Sequence, residues 1–328
     1  MVIEKQGLYM PNGTFRSREE IDRKLSDEPS TENAVLKGRQ PQEIEMVAKG
    51  LGVGVDVIMG TINRLREKGY HIEQQGDKVV HSTAIQEGRL FDFKDRFIDR
   101  NLHFGVISDT HLASKQERLD ALNGMYDTFE REGIKFVFHA GDISDGWGVY
   151  RGQEFEVKSF GQDEQVKYVV AEYPKRDGIT TAFITGNHDL RQYERGGIDV
   201  GVPISHERPD LIYLGQAASL VEIGDGVNME IVHPAGGTAY AMSYKPQRAI
   251  NNMTLKDAPN ILVYGHYHNA FYMHYRDIDF LQAGSFKDQG IFEKRLGLNP
   301  TIGGWIVDAR ISSQGGKVER FRPELFTF

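Results

Sequence analysis

Four apolar runs in this chain end in clusters of polar residues, and that recurrence limits the folds open to it. The runs are FGVISDTHL (104–112), FVFHAGDISD (136–145), TAFITGNHD (181–189) and ILVYGHYH (261–268). Each reads as a buried strand that delivers carboxylate, amide or imidazole groups at its end. Open α/β sheets gather such strand ends on one side, and their sites lie there. With His233, which ends a further apolar run, the polar residues in chain order are Asp109, His111, Asp142, Asp145, Asn187, His188, Asp189, His233, His266 and His268, which include five of the eleven histidines. Gly141, Gly186 and Gly265 stand against three of the clusters. Glycine allows a sharp backbone turn and a close approach at each.

The chain of 328 residues suits two domains. It has no cysteine, which excludes disulfides, thiolate metal sites and cysteine nucleophiles. No run reaches the ~18 apolar residues of a membrane span, and the N-terminus lacks a signal-peptide core. The expectation is a cytoplasmic protein without membrane contact. Net charge is −8, with 13 Lys/Arg against 14 Asp/Glu in residues 1–90, so neither part has the basic balance typical of a nucleic-acid binder.

Ser17 to Glu20 fits a capping box before Ile21 and Leu25. From Pro41 the apolar spacing predicts a helix through Ile44, Val47 and Leu51 and a break at Gly50 to Gly54. A second helix carries Ile58, Ile62 and Leu65, and strands over 70–73 and 78–82 flank a Gly76-Asp77 turn. Helix, turn, helix, hairpin is the order of a winged helix-turn-helix. The stretch VDVIMGTINRLREKGYHIEQQGDKVVHS resembles the winged domain of the biotin-operon-repressor type. That resemblance implies nucleic-acid contact through 55–68, with Thr61, Asn63, Arg64, Arg66 and Lys68 as the exposed candidates. A protein-interaction module is the alternative, and the near-neutral charge speaks for it.

The expected division is 1–85 for the winged module, 86–101 for a connector pinned by Phe91, Phe93 and Phe97, and 102–328 for the second domain. In the last, strands are expected over 103–108, 134–139, 180–185, 211–214, 218–223, 228–233, 260–264, 278–283 and 303–308. Helices are expected over 119–132 and 163–173. Tyr150 to Gln162 reads as an insertion.

The motifs D-x-H, G-D-x-x-D, G-N-H-D, a lone histidine after a strand, and G-H-x-H stand in that order. Together they resemble the signature of the calcineurin-like metallophosphoesterases, across most of 102–290 and including Gly284-Ser285. The resemblance implies an α/β (α+β) fold of four layers, two packed mixed sheets flanked by helices, beside the small N-terminal module. It implies two divalent cations. Asp109, His111 and His268 bind one, Asn187, His233 and His266 bind the other, and Asp142 bridges them. His188 faces the substrate, and Asp145 orients His188. A lone His233 is by itself most often structural, and its place between G-N-H-D and G-H-x-H assigns it here.

The donor chemistry agrees with that assignment. Two dications carry four positive charges, of which Asp109 and Asp142 remove two and a bridging hydroxide a third. The remaining charge attracts phosphate. Carboxylate and imidazole donors without sulfur suit Mn²⁺, Zn²⁺, Fe or Ni²⁺, with Mn²⁺ the expected activating ion. The Ser/Thr phosphatase branch carries arginine directly after G-D-x-x-D, where this chain has Gly146. Arg191 and Arg151 are the candidate substitutes. The loop-like stretch GGTAYAMSYKPQR (236–248) adds Tyr240, Lys245 and Arg248 as candidate substrate contacts.

The expected activity is hydrolysis of phosphate mono- or diesters by a metal-bridging hydroxide on nucleic-acid or nucleotide ends, as a nuclease or end phosphatase. A small-molecule phosphatase or phosphodiesterase is the alternative. A non-catalytic winged-helix regulator with a metal-sensing domain is a third reading.

Overall fold

The structure, a computed structural model, describes residues 29–36, 41–67, 72–81, 90–97, 100–196, 198–254 and 258–328. The expected capping box at 17–20 and Lys68 lie outside them. The chain divides into two compact units, 1–84 with 193–202, and 85–192 with 203–328. No helix among the described residues is long and apolar enough to cross a membrane.

In the smaller unit, β1 (Gln42–Glu43) leads into helices Ile44–Leu51 and Val55–Glu67, then β2 (Ile72–Gln75) and β3 (Lys78–His81). Gly52, at φ +70°, closes the first helix by donating its N–H to the carbonyls of Ala48 and Lys49. The three strands form one antiparallel sheet in the order β1-β3-β2, and Gln75 opposite Lys78 leaves a two-residue turn at Gly76-Asp77. Ile44, Val47, Ile58, Ile62, Leu65, Ile72 and Val79 build a core of its own. One expectation is corrected here. Thr61 is not exposed: it is fully buried, and its hydroxyl donates to the Val57 carbonyl at 2.9 Å. Its short β-branched side chain faces the core with Ile58 and Ile62, and the backbone takes the proton. Asn63 is exposed, while Arg64 and Arg66 are half-buried and Arg66 Nε donates to the Ile72 carbonyl at 3.0 Å.

The larger unit holds two six-stranded mixed sheets. One runs β15 (Val318–Thr327), β14 (Gly303–Ile311), β5 (Asn101–Ile107), β6 (Phe136–His139), β7 (Thr180–Thr185), β8 (Leu211–Gln216). The other runs β12 (Phe271–Tyr275), β13 (Ile278–Gln282), β11 (Ile261–Tyr264), β10 (Val227–Val232), β9 (Ala218–Gly224), β4 (Leu90–Asp92). Strands β5 to β8 are parallel, as are β10-β11 and β11-β13. Each parallel strand therefore carries its C-terminal end to the same side of its sheet.

Side chains of period two join the sheets face to face. Phe104 and Val106 of β5, Ala182 and Ile184 of β7, Val221 and Ile223 of β9, and Met229 and Ile231 of β10 belong to one buried cluster. Phe93, Phe104, Phe136 and Phe138 sit in it with ring centroids 4.8–6.3 Å apart. Each such pair adds about 0.5–1.5 kcal/mol beyond its buried area. The opposite faces are covered by helices. Leu262, Tyr264 and Phe280 pack with Ile250 of helix Tyr244–Asn252. Phe129 of helix Leu119–Arg131 lies so close over Gly105 that a Cβ there would meet its ring. Helix, sheet, sheet, helix is the four-layer arrangement expected.

Residues 90–97, expected within a connector, belong to the sandwich. Leu90, Phe91 and Asp92 pair in parallel with Leu220, Val221 and Glu222, and Phe93 is buried in the core. Strands β12 and β15 and helices Asn187–Gly196, Tyr244–Asn252 and Ile291–Leu296 have no counterpart among the expected elements.

Candidate metal centre

The donors lie at the ends of β5, β6, β7, β10 and β11 or just past β11, and the backbone there is strained. Asp109 (φ +52°), His111 (+44°), Asp142 (+53°), His266 (+75°) and His268 (+58°) all occupy the left-handed region. Each costs on the order of 1–3 kcal/mol and persists only where surrounding structure enforces it. The enforcement is visible. Asp109 N–H donates to Gly141 O at 2.9 Å and His111 N–H to Asp142 O at 3.0 Å. His266 N–H donates to Asp109 Oδ2 at 2.9 Å, and His188 N–H to Asp142 Oδ1 at 2.8 Å. Ser285 Oγ donates to the Asp109 carbonyl at 3.0 Å. Gly186 explains one close approach: a Cβ there would run into Asp142 and the His233 ring.

Two groups of lone pairs result. In the first, His111 Nδ1 donates to Asp145 Oδ1 at 3.0 Å, which turns Nε2 inward. That Nε2 lies 3.0 Å from His268 Nε2, and Asp109 Oδ1 lies 3.2 Å from His268 Nε2. Asp109 Oδ1 is buried without any hydrogen-bond donor. In the second, His233 Nδ1 donates to Ala140 O at 2.8 Å and His266 Nε2 to Gly236 O at 2.8 Å. Their remaining nitrogens face Asn187 Oδ1 at 3.0 and 2.7 Å. Asp142 Oδ2 reaches both groups, at 3.2 Å from His233 Nε2 and 3.7 Å from His111 Nε2. Acceptors this close repel unless a cation or a proton lies among them. The donor sets Asp109-His111-His268, His111-Asp142-His188 and Asp142-His233-His266 are each compact enough to hold an ion. The orphaned Asp109 oxygen and the facing acceptors fit divalent cations.

The electrostatics show a demand for positive charge in the cluster, which protons on two imidazoles meet here. Burial disfavours charge throughout, yet neighbours override it. The Asp109 and Asp145 carboxylates, 3.7 and 3.0 Å from its ring nitrogens, carry the His111 pKa up to about 10, and Asp142 carries that of His233 up to about 9. Burial is opposed at Asp109 by His268 and at Asp142 by His233, so both carboxyls are held well below the carboxylate range. His188 and His139, where burial wins, fall to about 4 and about 3.

Asp145 is placed differently from the expectation. Its carboxylate orients His111. His188 Nδ1 donates instead to the Asp145 main-chain carbonyl at 2.6 Å, with the carboxylate 3.8 Å away. The carboxylate is held by buried Lys287 at 3.2 Å and by Gln153 Nε2 at 3.2 Å. Gln153 comes from the 150–162 insertion, which therefore buttresses the site. No motif signalled Lys287 or Gln153. Asp189 touches no donor set. It accepts from the N–H groups of Ile143, Ser144 and Gly186 and from Ser144 Oγ, at 2.6–3.1 Å, tying the β6 and β7 loops together. Asp189→Ala strands these buried donors and is expected to cost on the order of 3 kcal/mol. A denaturant midpoint equal to that of the unaltered chain would refute this tie.

A cavity of about 460 Å³ opens beside the donors, lined by Asp142, Asn187, His188, His266 and His268 among others. Arg191, Arg151, Tyr240, Lys245 and Arg248 are not in its lining. Arg191 Nε donates to Gly148 O at 3.3 Å. Arg151, Tyr240 and Arg248 are exposed. Lys245 lies over the Tyr267 ring at 5.0 Å and lines a small neighbouring hollow. The segment expected as a loop over 236–248 is helical from Tyr244, with Pro246 in the first turn where it costs no hydrogen bond. Gly146 cannot be replaced by the arginine of the Ser/Thr phosphatases: its φ is +70°, and a Cβ would strike the His188 carbonyl.

A sandwich of mixed sheets with carboxylate and imidazole donors at its strand ends is the architecture of a metallophosphoesterase. The chain belongs to the calcineurin-like phosphoesterase superfamily, whose domain profile matches residues 102–296. Among curated proteins it is similar to the DNA polymerase II small subunits of Archaeoglobus fulgidus and Methanothermobacter thermautotrophicus. The first is 26% identical over 76% of this chain and 61% of that protein, the second 24% identical over 72% and 57%. The chain thus spans about three-fifths of the length of these relatives. Among solved structures, an archaeal phosphodiesterase aligns with TM-score 0.40 and 16% identity over 69% of this chain and 100% of that one.

Proposed function

We propose that this chain is a divalent-cation-dependent phosphoesterase that hydrolyses phosphate esters at nucleic-acid or nucleotide ends. The observation that carries the reading is the pair of converging acceptor groups sharing Asp142, with His188 beside them on the wall of one cavity. Asp109, His111 and His268 would hold one cation, Asn187, His233 and His266 the other, and Asp142 both. Such cations supply Lewis acidity and charge neutralisation for a phosphoryl group. Mn²⁺ is the ion of choice for assays.

The chain's own residues do the rest. His188, fixed through Nδ1 on the Asp145 carbonyl, keeps Nε2 for the ester. With a pKa of about 4 the ring is neutral and Nε2 carries a lone pair, so it takes the proton released by the attacking water and passes it to the departing oxygen. Asp145, Lys287 and Gln153 hold His111 in one orientation from behind. The nucleic-acid substrate class is supported by the relatives' name, that of a DNA polymerase subunit, and by the helix, turn, helix, hairpin order of the smaller unit.

The same name also favours a second reading, in which the chain is a non-catalytic subunit of a polymerase assembly. One experiment separates the two. The purified chain with Mn²⁺ is assayed on bis(4-nitrophenyl) phosphate, 4-nitrophenyl phosphate, and single-stranded and duplex oligonucleotides with 3′- or 5′-phosphorylated ends. Turnover that vanishes with a chelator and returns with Mn²⁺ is expected. A chain that binds two cations and hydrolyses none of these is not an enzyme of this class.

A further inference from the structure

The cavity lining extends beyond the donors. Val149 and Tyr150 line it, as do Leu298, Asn299 and Pro300, with Glu293 in the same wall. Among the described residues, no lysine or arginine lines it. Glu293 is 7% exposed and doubly held: Gly290 N–H donates to Oε2 at 3.0 Å, and Lys287 Nζ lies 3.1 Å from Oε1. Lys287 is 1% exposed and also pairs with Asp145. Two carboxylates, Glu293 and Asp145, thus share the single Lys287 ammonium, which leaves an excess of negative charge behind this wall.

We propose that Glu293 makes this site select phosphodiesters over phosphomonoesters, with the uncharged group of the diester lying against Val149, Tyr150, Leu298 and Pro300. This rests on the phosphoesterase reading above. A phosphomonoester carries about −1.5 to −2 at pH 7, and a diester carries a single negative charge. The donor cluster accommodates the first charge. The second meets no cationic side chain in the cavity lining, and the Lys287 ammonium behind the wall is already shared by the Glu293 and Asp145 carboxylates. A flat, largely apolar group such as a nucleobase meets no such penalty.

Glu293 also caps its own helix from position N3, a role that glutamine fills equally well. Glu293→Gln therefore removes the charge and keeps the cap. The second variant is Asn299→Lys, at an exposed lining residue, which adds a cation to the same wall. Values of kcat/KM for bis(4-nitrophenyl) phosphate and 4-nitrophenyl phosphate are measured with Mn²⁺ for all three proteins. The unaltered chain is expected to prefer the diester. In each variant the diester-to-monoester ratio should fall about tenfold, chiefly through a lower KM for the monoester. If Glu293→Gln fails to fold, Asn299→Lys decides alone. A ratio that stays put, or an unaltered chain that prefers the monoester, overturns the selection and leaves the phosphoesterase reading standing. No turnover of either ester by the unaltered chain overturns both.

Discussion

Asp142→Ala is expected to lose both cations and at least about 10³-fold in turnover, since losing a single preorganised charge contact in such a site is worth 10²–10³. The size follows from where its two oxygens go. Oδ2 stands between the donor groups, 3.2 Å from His233 Nε2 and 3.7 Å from His111 Nε2. Oδ1 accepts the His188 N–H at 2.8 Å and so also sets the loop that carries Asn187 and His188. No other oxygen of the cluster serves both sides, so alanine removes a ligand from each and frees that loop. Asp109→Ala makes a useful contrast, because Asp109 Oδ1 faces only the His111-His268 group. Metal analysis of the purified variants should show two ions per unaltered chain, fewer than one for Asp142→Ala, and a remaining ion at the Asn187 side for Asp109→Ala. Two ions in Asp142→Ala would mean that the carboxylate does not join the sites.

The clustering of the candidate donors was legible because each ends an apolar run, and burial of the run forces its polar end to a sheet edge. Asp109, Asp142 and His233 could be placed on strand ends without knowing the sheet order. What burial patterns cannot convey is which atom of a residue does the holding. Asp145 supports two histidines, one through its carboxylate and the other through its main-chain carbonyl, and only coordinates separate these. Lys287, Gln153 and Glu293 were missed for a related reason. They come from an insertion and from the short segment after Gly284-Ser285, where no periodicity marks them. A buried lysine has no sequence signature apart from partners that are far away in the chain.

The missed elements follow the same logic. β15 is an edge strand, paired on one side only with β14. Its residues VERFRPELFT mix exposed charges with half-buried side chains, and Pro323 is tolerated because an edge leaves some N–H groups unpaired. A search for apolar runs passes over it. Helix Tyr244–Asn252 buries only Pro246 and Ile250, and the glycines before it suggest a loop. Arg191 and Arg151 looked like phosphate clamps by proximity to motifs, yet neither lines the cavity. Closeness in sequence to a donor is a weak guide once the chain turns at a left-handed residue.

His188→Ala is expected to keep both cations and lose about 10²–10⁴-fold in turnover on a dinucleotide, the range of general acid catalysis. Its ring lies near His111 and Asp142, but the assignment above leaves both cations their ligands without it. Its Nδ1 is committed to the Asp145 carbonyl at 2.6 Å, and its ring stands edge-on to His111 with centroids 4.5 Å apart. That packing fixes the imidazole while leaving Nε2 to the cavity. If the ring protonates the departing oxygen, its loss must matter in proportion to how badly that oxygen needs a proton. A nucleoside alkoxide is a poor leaving group, whereas nitrophenolate leaves readily without help. The loss on bis(4-nitrophenyl) phosphate should therefore be smaller by at least about tenfold than the loss on the dinucleotide. Equal losses on both would show that His188 acts on the phosphoryl oxygens and not on the leaving group. No loss on either, with two ions still bound, would remove it from the chemistry. Gln153 offers an independent check of the support behind these rings. Gln153→Ala takes away the amide that bonds both the carbonyl and the carboxylate of Asp145, so it should lower turnover on both esters alike, leaving the leaving-group dependence to His188 alone.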